Sequence, residues 1–150
     1  MKQLSAVEIM EHNEKKMHIK VIEDKRYSID YVFSVINNAL DKIPAGILAH
    51  KKKNAEYDII IDGFRVHPFS LRYQTFMNNG VVCVKCGRRG THFKLCGDAD
   101  SNRRHFNLYA DDGTLITKDH IIPVSKGGKD HISNFQTMCE PCNAAKGNKL

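Results

Sequence analysis

Apolar residues at Ile29, Val32, Phe33, Ile36 and Leu40 recur at the spacing of one helical face. Ser28 stands in front of them as a cap, and Asp30 falls in the first turn, where the helix dipole favours negative charge. Pro44 and Gly46 end that helix, and Ile47 to Lys53 follow as a short basic one. From Tyr57 to His67 the pattern becomes two apolar runs, Ile59-Ile60-Ile61 and Phe64-Arg65-Val66, around the turn pair Asp62-Gly63. That predicts a hairpin, closed by Pro68. Ser70 caps a helix through Asn78, with Asn79-Gly80 as its stop. Strands are predicted at Thr91–Leu95, His105–Tyr109 and Leu115–Ile122, the last two joined through Asp111-Asp112-Gly113. Gly97 to Arg104 reads as a polar loop. Met1 to Lys25 is charged with little periodicity, and Val7, Ile9, Met10 and Met17 to Ile22 fit a short helix or strands.

The chain has 150 residues, enough for one domain or a small catalytic module with an appendage. The change of pattern at Pro68 divides it into an N-terminal appendage, residues 1–68, and a module, residues 69–150. A net charge of +6 favours an anionic partner. No apolar run of 18 residues exists, and none opens the chain, so neither a membrane helix nor a signal peptide is indicated. The expected setting is therefore cytoplasmic, where thiols stay reduced.

In that setting five cysteines point to metal rather than disulfides. Cys83-x-x-Cys86 and Cys139-x-x-Cys142 have the spacing of two zinc knuckles, and four thiolates close a tetrahedral site against water. Gly87 permits the positive φ that a knuckle turn needs, and Pro141 preorganises the second turn. The competing readings are a pair of redox dithiols or buried thiols. Cys96 is left over and reads as a small buried hydrophobe.

The stretch from Thr114 to Leu150 carries Asp119-His120 at the end of an apolar run, then Pro123, Ser125-Lys126-Gly127-Gly128, Asn134 and Cys142-Asn143. This pattern closely resembles the HNH endonuclease family, over roughly Phe69 to Leu150. The resemblance implies an α+β fold with a ββα-metal (His-Me finger) module beside the Cys₄ zinc. It implies a DNA endonuclease of the kind commonest in phage and bacterial genomes, working by a single metal and a histidine general base. His120 matches the base, Asn134 the residue that braces the loop, and Asp119 with Asn143 the ligands of a catalytic divalent ion. Asn143 stands where many members have His, which shifts the expected ion toward Mg²⁺ or Mn²⁺. Successive strand residues point to opposite faces, so Asp119 and His120 can share one phosphate only from a strand end.

Lys126, Lys129 and Lys146, with Arg103 and Arg104, are candidate contacts to DNA phosphates, and Lys146 is the best placed for the scissile one. The family's approach to the minor groove implies duplex DNA read with weak sequence preference. His105 is a strand residue more in keeping with a structural role. The alternative to an enzyme is a zinc-containing module that binds or packages DNA without cutting it.

Overall fold

A computed structural model describes residues 19–44, 46 and 55–150. The expected helix at Ile47 to Lys53, like the pattern before Ile19, lies outside the described residues. The elements in order are β1 (Lys20–Ile22), β2 (Tyr27–Ser28), α1 (Ile29–Asp41), β3 (Ile59–Ile61), β4 (Phe64–Val66), α2 (Leu71–Asn79), β5 (His92–Asp98), β6 (Arg103–Tyr109), β7 (Leu115–His120), β8 (Phe135–Cys139) and α3 (Glu140–Lys146). No helix among the described residues is long and apolar enough to cross a membrane.

Local chemistry accounts for most of these boundaries. The Ser28 Oγ accepts the Tyr31 N–H at the head of α1, and the Ser70 Oγ accepts the Arg72 N–H at the head of α2. Asp62 and Gly63 both take positive φ, 49° and 86°, the conformation a two-residue hairpin turn requires. The polar loop is shorter than the sequence suggests. Gly97 and Asp98 belong to β5, and Arg103 and Arg104 to β6, because the buried Arg104 guanidinium ties the turn shut through the carbonyls of Asp98, Ser101 and Arg103.

The sheet is mixed but mainly antiparallel. β5 and β6 form its centre, with β1 and β2 paired to β5 and the β3–β4 hairpin joined to β6 through the parallel β4. β7 pairs with the end of β6, and β8 with β7. β8 was not evident in the sequence, where the polar Gln136 and Thr137 interrupt the apolar run, although Thr137 is fully buried.

The sheet therefore runs across Pro68, and so does the core. Val32 and Ile36 from α1 are fully buried in one cluster with Phe76 of α2 and Phe93 and Phe106 of β5 and β6. Phe106 stands edge-on to Phe93 at 5.9 Å and to Tyr27 at 5.4 Å between ring centroids, a geometry aromatic pairs favour.

Candidate functional site

The two knuckles meet. Cys83 and Cys86 lie in the turn after α2, Cys139 ends β8, and Cys142 sits in the first turn of α3. The four sulfurs lie within 4.8 Å of one another, and Cys86 Sγ is 3.6 Å from Cys139 Sγ. A tetrahedron with metal–sulfur bonds of about 2.3 Å has edges of about 3.8 Å, so this spacing fits Zn²⁺. The first knuckle closes through Gly87 N–H to Cys83 O at 3.0 Å, with Gly87 at φ 80°, and docks on β8 through Val84 N–H to Thr137 O. Burial would push the Cys83 thiol up, yet backbone N–H groups at Cys139, Cys86 and Lys85 bring it down to about 6. The Cys139 thiol and burial instead hold Cys142 up at about 12. One sulfur of the cluster is thus already disposed to be a thiolate. Cys96 lies apart, buried in β5 with its sulfur 3.5 Å from the Tyr109 hydroxyl.

The cluster braces a β–β–α unit. Cys139 is in register with Ile116, Gln136 with Asp119, and Phe135 with His120. Asp119 and His120 do point to opposite sides of β7. Asp119 is 6% exposed and turns toward α3, where its Oδ2 accepts from Gln136 Nε2 at 2.9 Å and pairs with Lys146 Nζ at 3.0 Å. His120 packs edge-on against Phe135, and its Nε2 lies 2.5 Å from Asp130 Oδ1. Because β7 ends at His120, both side chains still line one groove of about 340 Å³, together with Asn143 and Lys146.

Asn143 donates from Nδ2 to Thr117 Oγ1 at 2.9 Å, and that hydroxyl donates to Met138 O; among the described residues nothing donates to the amide oxygen of Asn143, an acceptor. A carboxylate and an amide oxygen on one groove form a hard donor set that fits Mg²⁺ or Mn²⁺ with waters completing the shell. Asn134 straps the loop that follows β7. Its Oδ1 accepts the Ile122 N–H, and its Nδ2 donates to Ile122 O and Lys129 O, each near 3.0 Å. Gly128 passes so close that a Cβ there would sit 1.6 Å from Ile122 O.

Among the basic candidates, Lys126 and Lys129 are exposed in that loop. Lys146 turns inward, onto Asp119 and the His120 carbonyl at 2.7 Å. Arg103 is half-buried with Nη2 on Asp58 at 3.2 Å. Arg104 is 6% exposed, lies over the Phe64 ring and binds Glu23, so its guanidinium is already engaged within the fold. Asp130 and Gln136 were missed in the sequence. Neither lies in a motif, and only the folded loop and the β7–β8 register bring them to His120 and Asp119.

Residues 110–150 match the family model described as HNH endonuclease. No match was found among curated proteins or among solved structures.

Proposed function

We propose, from the premise that the segment 110–150 is of the HNH endonuclease family, that the protein is a metal-dependent endonuclease acting on DNA. The single observation that carries this reading is the convergence of Asp119, His120 and Asn143 on one groove at the end of β7.

Asp119 and Asn143 would hold one hard divalent ion, Mg²⁺ or Mn²⁺, which neutralises charge on the scissile phosphate when bound. His120 takes the proton of the attacking water. The Asp130 carboxylate can only accept a hydrogen bond, so Nε2 carries the ring's proton and Nδ1 is left as the basic atom. His120 in turn holds the Asp130 carboxyl below its ordinary range. Lys146 is poised to exchange the Asp119 carboxylate for a phosphate oxygen once the ion is in place. Asn134 keeps the loop in shape, and the four cysteines hold a structural zinc that fixes the first turn of α3. Duplex DNA, held through exposed Lys126 and Lys129 with weak sequence preference, is the proposed substrate.

Supercoiled plasmid incubated with the protein and Mg²⁺ or Mn²⁺, beside His120→Ala, tests the reading. The wild type should nick or linearise it, and loss of the base should slow cleavage by roughly 10²- to 10⁴-fold. Equal behaviour of the two proteins would instead indicate a DNA-binding module that does not cut.

A further inference from the structure

The outer edge of β6 has two partners and a gap between them. β4 pairs with it at Arg103 and Arg104, and β7 joins only at Leu108 and Tyr109. Across the gap the Tyr73 hydroxyl accepts the Phe106 N–H at 2.8 Å, which satisfies the backbone there without a strand. What remains is an open groove of about 360 Å³, lined by Arg72, His105, Asn107, Leu115 to Thr117, and Lys118. None of its lining residues is acidic. Arg72 donates from Nη1 to the neutral Asn107 Oδ1 at 2.5 Å, and Lys118 Nζ lies 4.0 Å from the centroid of the Phe135 ring. Among the described residues neither cation is in an ion pair. Asp130 attracts Lys118 through space, but its carboxylate already holds His120. Lys118 also lines the groove of Asp119 and His120, so the two depressions meet at that side chain.

We propose that this cleft is a second nucleic-acid subsite, in which Arg72 and Lys118 bind a backbone phosphate flanking the one that is cut. The identity of the ligand rests on the nuclease reading; the cleft itself does not. Arg72, His105 and Asn107 lie outside the segment matched by the family model and Lys118 lies inside it, so the cleft joins that segment to the rest of the sheet. A guanidinium and an ammonium outside any ion pair lose little by exchanging a neutral neighbour for a phosphate. Burial, with Arg72 and Lys20 nearby, pushes His105 down to about 4, so its ring enters the cleft as a neutral hydrogen-bonding group.

The test is the salt dependence of binding to a fluorescently labelled duplex, by anisotropy without divalent ions, so that cleavage plays no part. Each phosphate contact contributes about 0.9 to the slope of log affinity against log salt. Arg72→Gln and Lys118→Gln should each lower the slope by about 1, and the double variant by about 2. Arg72→Lys should keep the wild-type slope, and so should Lys94→Gln, which removes the same charge from β5 beside Asp111 and Asp112. Melting temperatures equal to that of the wild type would exclude unfolding as the cause. A double variant with the slope of Lys94→Gln, an Arg72→Lys variant that behaves like Arg72→Gln, or a wild type that binds no duplex would each overturn the subsite. A wild type that binds with full slope yet cuts no plasmid would sink the nuclease reading and leave the subsite standing.

Discussion

In the proposed mechanism the ring nitrogen of His120 that is left basic is set by its hydrogen bond to the Asp130 carboxylate. In that reading Asp130 orients the imidazole. Asp130→Ala should therefore lower kcat on the order of 10- to 100-fold while KM for DNA changes little, since a misaligned base costs rate rather than affinity. A rise in KM alone would mean that Asp130 serves binding instead. Gly128 is a second case where one atom matters. A methyl group there collides with Ile122 O and approaches Asn134 Nδ2 at 2.9 Å, so Gly128→Ala should displace the loop and cut cleavage by at least roughly tenfold. Asn134→Ala removes three hydrogen bonds at once and should cost about 1–3 kcal/mol in thermal or denaturant unfolding.

Between elements, the sulfur cluster is the joint. It links the turn after α2, the end of β8 and the start of α3, and β8 carries that link by register to the strand of Asp119 and His120. α3 has only seven residues, too few to be stable alone, so its position is set by what clamps its first turn. One zinc per chain is expected by metal analysis. Cys139→Ser, or removal of the ion by a chelator, should lower the melting temperature by at least roughly 10 °C. Wild-type melting in the variant would leave the cluster without a structural role. Zinc uptake should also release protons, because Cys142 enters the site from a thiol held up at about 12.

Over the whole molecule, the two sides of Pro68 share buried surface. α1 covers the face of β5 on which Phe93 is fully buried, and β1 and β2 line the edge of β5. A fragment of residues 69–150 should therefore lack cooperative melting, whereas the full chain shows it; a fragment that melts as sharply would mark it as an independent unit. Acid stability has a global signature too. Folding holds His105 neutral down to about 4, whereas an unfolded ring takes its proton near 6.5. Between those values the unfolded state binds more protons, so stability falls as pH falls. Above 6.5 both states are neutral and the effect vanishes. His105→Gln should flatten the decline of melting temperature over that window.

Local patterns were enough to locate α1, the β3–β4 hairpin and α2, because each is set by neighbours in the chain: Ser28 and Ser70 as caps, Asp62-Gly63 as the turn. Residue type and spacing likewise pointed to the four cysteines that the fold gathers and to Asp119, His120 and Asn143, which line one groove. Long-range packing settled the remainder. Burial turned Arg104 from a surface charge into a strut, pairing with β7 made a strand of Phe135–Cys139, and the fold of one loop carried Asp130 to His120. The cleft between β6 and β7 exists only because β4 leaves an edge before β7 reaches it. No window of sequence contains such facts, because contacts between residues distant along the chain depend on where every intervening element packs.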